Sequence, residues 1–123
     1  FDAHSIQSVV PRLFEGRLPD LNLGTNDGKS LDAALAEKLE AVCAGAGADG
    51  FTHVRDGRFK GGHITRHFGR PADGWHAVQL EMTQASYMRE EPPFPFDEAR
   101  ADRIRPHLRR FVETLVDWAE RQA

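Results

Sequence analysis

The apolar positions of this chain change period several times along its length. Leu31, Ala34, Leu35, Leu39, Val42 and Cys43 recur at helical spacing, with Ser30 ahead of them as an N-cap and Gly45 and Gly47 behind. That pattern predicts an amphipathic helix over residues 31–44. Leu108, Phe111, Val112, Leu115, Val116 and Ala119 repeat it near the C-terminus. They predict a helix over residues 105–121, since Pro106 is tolerated only in a first turn, where amides have no intrahelical partner. Residues 97–104 read as a separate short helical turn with Asp97 as its N-cap.

Strand patterns lie between and before these helices. Phe1 to Ala3 reads as the close of a strand. Leu21-Asn22-Leu23 alternates and is stopped by the turn-rich run at residues 24–28. Phe51 to Val54 reads as a strand, with Asp56-Gly57 as a hairpin-type turn into Arg58-Phe59-Lys60. Residues 76–82, with Ala77, Val78, Leu80 and Met82, suit a buried strand. Residues 5–16 and 63–75 hold prolines and glycines and read as loops, and Pro92, Pro93 and Pro95 forbid regular structure around them. Strands mixed with helices point to an α/β architecture.

Composition narrows the function classes. The 123 residues are 40% hydrophobic and 28% charged, with a formal net charge of -3, which are globular values. A nucleic-acid or membrane surface needs a concentrated basic face. Here Arg109-Arg110 is followed by Glu113 and Asp117 on the same predicted helix, a solvated face. No apolar run approaches the ~20 residues of a membrane span, and there is no signal-peptide pattern. The single cysteine, Cys43, falls in the apolar helical pattern and reads as a core residue; one thiol makes no internal disulfide, so a cytoplasmic location is expected. The chain opens on Phe-Asp-Ala-His without an initiator Met, and a fragment or processed chain is expected.

Two spacings suggest chemistry that their context does not support. Gly45-Ala-Gly47-Ala-Asp-Gly50 matches the dinucleotide fingerprint, but it follows a helix instead of opening one, and reads as a helix stop. His63 and His67 are four apart, as metal ligands on a helix would be. Gly61 and Gly62 precede them and β-branched Ile64 and Thr65 lie between, so a helix is not expected there. His53, His76 and His107 read as surface or satisfied core residues.

Asp2-Ala-His4-Ser5 is more suggestive, because a His at a strand end with a carboxylate two residues before it presents a metal ligand well. The runs Val10-Pro-Arg-Leu-Phe-Glu-Gly16, Leu18-Pro-Asp-Leu-Asn-Leu-Gly-Thr25, Gly57-Arg-Phe-Lys-Gly-Gly62, Ile64-Thr-Arg-His67 and Ala77-Val-Gln-Leu-Glu81, on to Tyr87-Met88, follow in order. Together they resemble the N-formylglutamate amidohydrolases, from Phe1 to about Ala119. The resemblance implies a three-layer α/β/α fold with a mixed sheet, similar to zinc carboxypeptidases and aspartoacylases. This chain would form the C-terminal portion, residues 1–123, of one amidohydrolase domain.

The resemblance further implies cleavage of N-formyl-L-glutamate to formate and L-glutamate in histidine degradation, with a divalent metal, zinc, as cofactor. His4 matches the later metal-ligating His and Glu81 the general base. Arg66 is the first choice for the substrate carboxylates, because guanidinium grips a carboxylate bidentately, and Arg12 is the second. The early His-x-x-Glu pair of that group has no counterpart: no His here is followed by Glu at the third position, so two of three protein ligands are absent. His63 and Phe68 stand where tyrosines would be expected. A related enzyme for another N-acyl amino acid, and an inactive fragment or assembly module, are the alternatives. The expected partners are a small-molecule substrate and either a second copy or a separate N-terminal half, with neither nucleic acid nor membrane.

Overall fold

The computed structural model describes residues 1–122. Four strands form one mixed sheet in the order β1-β4-β2-β3: β1 (Asp2–Ile6), β2 (Leu21–Gly24), β3 (His53–Arg55) and β4 (Gln79–Thr83). Parallel strands cannot be joined by a tight turn and need a crossover. Between β2 and β3 that crossover is α1 (Ala33–Gly45), which makes a βαβ unit. β4 occupies the middle, parallel to β1 and antiparallel to β2. The mixed α/β expectation therefore stands.

Side chains alternate across a strand, so the sheet has two chemically different faces. Leu21 and Leu23 of β2 pair with Met82 and Leu80 of β4 on one face. Against that face pack Leu35, Ala36, Leu39 and Cys43 of α1 and Ile104 and Phe111 of α3 (Glu98–Gln122). Each fully buried Leu contributes roughly 1.5–3 kcal/mol of transfer free energy, so this layer dominates the stability of the sheet. The opposite face carries polar residues: Asn22, Gln79, Glu81 and Thr83, flanked on β1 by Asp2 and His4.

Several local expectations are corrected. Helix α1 begins at Ala33 and is capped by Asp32, whose carboxylate accepts from the Ala34 amide at 2.8 Å. Ser30 is instead fully buried and donates to the Ala77 carbonyl at 2.7 Å, tying the start of α1 to the approach to β4. No hairpin forms at Asp56-Gly57: β3 ends at Arg55 and pairs in parallel with β2. Asp56 takes a φ of 50° and turns its carboxylate to the Thr25 amide and hydroxyl, so side-chain capping wins over hairpin closure. β4 covers only the second half of residues 76–82 and continues to Thr83. β1 runs on to Ile6, into residues expected to be loop.

The last helix is one element, not a turn followed by a helix starting at Arg105. Pro106 lies inside it. Asp97 does cap it, as expected of the shorter turn: its carboxylate accepts from the Arg100 amide at 3.1 Å. The apolar stripe runs unbroken across the proline, with Ala101 and Ile104 before it and Phe111 after it, all buried. Burying that stripe outweighs the ~3 kcal/mol that an interior proline costs. Arg105 braces the same turn through Glu98 at 2.7 Å and Asp102 at 2.6 Å. Val112 and Val116, read as part of the core stripe, are 44% and 48% exposed; the buried stripe is narrower than the sequence pattern.

Two other readings stand. Cys43 is buried in the core, where burial pushes its thiol up to about 12, with the Glu40 charge adding to the effect. The glycine run after α1 is a helix stop, a single turn of 3-10 helix ending at left-handed Gly50. No helix among the described residues is long and apolar enough to cross a membrane.

Candidate active site

The polar face of the sheet brings together the residues that the sequence nominated from opposite ends of the chain. His4 and Glu81 are register partners across the parallel β1–β4 pair. Both sit in the middle of their strands, whereas His4 was expected at a strand end, and β1 is a largely exposed edge strand. On the other flank Glu81 lies opposite Asn22. The Asn22 amide is fully buried and donates to the Glu81 backbone carbonyl at 3.0 Å and to the Pro19 carbonyl at 2.8 Å. Its Oδ1 is buried without a hydrogen-bond partner.

The electrostatics of Glu81 follow from this placement. The residue is 93% removed from solvent, at 7% relative exposure. Burial raises its carboxyl above the ordinary carboxylate range; the neighbouring His4 charge pulls it down and the Asp2 carboxylate pushes it further up. A carboxyl held up in this way can exchange a proton nearer neutral pH than an exposed one.

Asp2 and His4 form a pair within one strand. The Asp2 carboxylate lies 2.9 Å from His4 Nε2. That contact orients the ring and leaves Nδ1 as the free nitrogen, the arrangement in which a carboxylate holds a metal-binding imidazole from behind. A metal centre needs more than this. Among the described residues no group of three or more His, Cys, Asp or Glu is placed to hold a metal ion. His4 offers one nitrogen, and these residues by themselves do not fit a three-ligand zinc site.

Glycines control what covers the polar face. A Cβ on Gly24, at the end of β2, would lie 2.8 Å from the backbone of Lys60 and Gly61, so the 60–62 segment can cross this face only because Gly24 has no side chain. Gly61 takes a φ of 110°, and its hydrogen faces the Thr65 side chain, which a Cβ would strike at 2.2 Å. These contacts seat the start of the next element, α2 (His63–Phe68), beside the end of β2. Residues 63–75 were expected to be loop, and this helix is the correction. Thr65 is fully buried and its hydroxyl donates to the Gly62 carbonyl at 3.0 Å; these tertiary anchors override the weak helix propensity of Ile64 and Thr65.

Helix α2 changes the reading of four candidates. His63 and His67 do share a helical face, with rings stacked at 5.0 Å between centroids, but they are exposed and have no third donor. Phe68 packs edge-on to both, at 6.3 and 4.7 Å. Arg66 sits on a short helix, not in a flexible loop. It is exposed, makes a 3.5 Å contact with the Gly61 carbonyl and has no carboxylate partner among the described residues. Arg12 is exposed on the turn that follows β1, where no side-chain hydrogen bond or ion pair engages it among the described residues, and nothing brings it to Glu81.

Of the remaining histidines, all read as surface or satisfied core residues, His53 is half-buried on β3. His107 is buried and bonds Asp49 at 2.6 Å through Nε2, but its buried Nδ1 has no partner, so it is not fully satisfied. His76 Nδ1 accepts from the Asp32 amide at 3.0 Å. A cavity of about 420 Å³ lies away from the polar face, walled by Phe1, Trp75, His76 and Trp118. Sequence reading missed Gln79 and Asn22. Their signal was the alternation Gln79-Leu80-Glu81-Met82-Thr83, hidden because residues 76–82 read as one continuous apolar strand.

Comparison with known proteins matches this geometry to a family. A family model described as N-formylglutamate amidohydrolase matches residues 1–88, which include β1, β2, α2 and β4. The N-formylglutamate deformylase of Pseudomonas aeruginosa is 57% identical over 118 residues, covering 96% of this chain and 44% of that protein. The N-formylglutamate deformylase of Pseudomonas putida is 53% identical over 122 residues, covering 98% of this chain and 45% of that protein. The crystal structure of an N-formylglutamate amidohydrolase from Ralstonia eutropha JMP134 superposes with a TM-score of 0.79 over 98% of this chain and 44% of its own; at 24% identity that likeness shows the fold. The chain thus spans less than half the length of these relatives, and it belongs to the N-formylglutamate amidohydrolase family.

Proposed function

We propose that this chain is the C-terminal portion of a hydrolase that cleaves N-formyl-L-glutamate to formate and L-glutamate, in histidine degradation. The observation that carries the reading is Glu81: a buried carboxyl, raised by its surroundings, beside His4 on an otherwise polar sheet face. The names of the two Pseudomonas relatives support the substrate. The proposed architecture of the whole is a three-layer α/β/α domain like that of zinc carboxypeptidases and aspartoacylases. Here α1 and α3 supply one layer, and the rest would come from the part of the relatives that this chain does not span.

In this reading Glu81 removes a proton from the attacking water as its oxygen bonds to the formyl carbon. Glu81 then passes that proton to the glutamate nitrogen as the C–N bond breaks, leaving formate and the free amine. His4, held by Asp2, would offer one nitrogen to a divalent cation, zinc, which needs further ligands that these residues do not supply. Such a cation, when bound, supplies Lewis acidity. Arg66 carries an exposed guanidinium with no carboxylate partner among the described residues, which suits a substrate carboxylate. Arg12 remains the second choice. A small molecule is the partner; self-association or pairing with a separate N-terminal half is proposed for the chain on its own.

A second reading, an amidohydrolase for a different N-acyl amino acid, is favoured by His63 and Phe68, which stand exposed on α2 in place of the expected tyrosines. The test is formate release from N-formyl-L-glutamate by the full-length protein, beside a panel of N-acetyl and N-formyl amino acids. Preferential turnover of N-formyl-L-glutamate is expected. Preference for another acyl group supports the second reading, and no turnover of any substrate would sink both.

A further inference from the structure

Two residues before Glu81, on the same face of β4, Gln79 is buried to 7% exposure. Its side-chain amide makes no hydrogen bond within the described residues, yet neither amide atom is among the polar atoms sealed from solvent without a partner, so the head group opens onto the polar face. Its neighbours explain why. Asp2 lies beside it on β1, but its carboxylate is turned to His4 at 2.9 Å. Gly24 lies beside it on β2 and has no side chain to offer. Gly62, at the start of α2, passes over it, and a Cβ there would come within 3.9 Å of Gln79 Oε1. The amide is thus walled by two glycines and a carboxylate committed elsewhere.

We infer that Gln79 is a further catalytic residue, whose side-chain NH₂ donates to the carbonyl oxygen of the scissile amide while Glu81 handles the proton. This rests on the proposed amidohydrolase reading. The spacing suits the task. At about 3.3 Å per residue, the two Cα atoms are roughly 7 Å apart, enough for one carbonyl group and its attacking water between the polar ends. A donor fixed in a buried site is worth most where negative charge develops on that oxygen in the tetrahedral intermediate. The missing side chains at Gly24 and Gly62 leave that space to substrate.

The test uses the full-length protein and two uncharged variants of similar size, Gln79→Met and Gln79→Leu, each lacking the donor. Removing one such donor typically lowers kcat by about 10²- to 10³-fold. The expected result is a loss of that order in both variants, with KM within about twofold, melting temperature unchanged or raised, and the shape of the pH–rate profile preserved. Two variants guard against a folding failure in one of them. A kcat within about threefold of wild type in either folded variant would overturn the inference. So would a loss that comes with a displaced pH profile, because Gln79 would then act through Glu81. An inactive wild type on N-formyl-L-glutamate refutes that substrate alone; Gln79 is then judged on whichever N-acyl amino acid is cleaved, and falls if none is.

Discussion

His4 and Glu81 are register partners on adjacent parallel strands, although 77 residues separate them in the sequence. Parallel pairing places them on one face, and burial of Glu81 against a half-exposed imidazole gives the pair its electrostatic character.

Glu81→Gln should separate rate from fold. In the full-length protein kcat should fall by about 10²- to 10⁴-fold, the usual loss when a general base is removed. In the chelator-treated protein the same change should raise stability at neutral pH. The folded carboxyl is raised above its unfolded value near 4.3, so the folded state binds the proton more tightly. Wild-type stability then falls as pH rises from about 4 through the raised value, while the glutamine variant does not titrate. Melting curves at acid and neutral pH measure the difference, which should vanish in acid; a variant less stable at neutral pH would show that the charged form is well solvated.

Asp20 should matter for stability and in the opposite direction of pH. Burial disfavours its charge, but bonds from the Thr52 amide, Arg17 and Thr83, and the Arg17 charge, outweigh that and hold it below the ordinary carboxylate range. The carboxylate bonds Thr52 ahead of β3 and Thr83 at the end of β4, from a position just before β2. Asp20→Ala should cost on the order of 3 kcal/mol at neutral pH, since several charge-assisted bonds are lost together. A depressed folded value gives stability that is present above the unfolded pKa and lost as pH falls through the folded one. Denaturant curves should therefore converge in strong acid; parallel curves would refute the ionic origin.

Cys43 should be inert. With the thiol pushed up to about 12 and the side chain 1% exposed, there is almost no thiolate to react and no path to it. Labelling by a thiol reagent should track global unfolding over a denaturant series. Cys43→Ser should destabilise by about 1–3 kcal/mol, through burying a hydroxyl among Leu35, Leu39 and Phe111. Rapid labelling of the native protein would mean that α1 opens locally.

Arg66→Lys in the full-length protein should weaken N-formyl-L-glutamate binding roughly ten- to hundredfold, the equivalent of about 1.5–3 kcal/mol for part of a charge-assisted pair. Lysine keeps the charge and loses the planar fork. The residue is exposed, so the melting temperature should hold. A formylated amine without carboxylates should bind both forms equally poorly; an equal loss on both ligands would pass the clamp to Arg12.

The 123-residue chain by itself should associate. β1 is an edge strand with one side unpaired, and an open edge templates further pairing. Phe1, Trp75, Val112 and Val116 stay 44–58% exposed around it and on α3. Light scattering over a concentration series should show mass rising with concentration. A constant monomer mass would show that these residues close their own core.

Amphipathic periodicity was enough to place α1, most of α3 and the apolar stretches of β2 and β4, because burial of Leu35, Leu39, Ile104 and Phe111 is a local pattern with a nonlocal reward. The family runs nominated His4, Glu81 and Arg66 as residues, but not their juxtaposition. The tertiary structure decided the rest where long-range contacts overruled local preference. Thr65 packs into the space left by Gly61, and a helix forms through β-branched residues. The stripe from Ala101 to Phe111 is buried as a unit, and a helix passes through Pro106. Asp56 caps Thr25, and a hairpin signal becomes a parallel strand. The two-residue alternation of β4 set Gln79 beside Glu81, but only pairing with Gly24 and Asp2 left its amide without a partner, because which groups are satisfied depends on neighbours that no local pattern names.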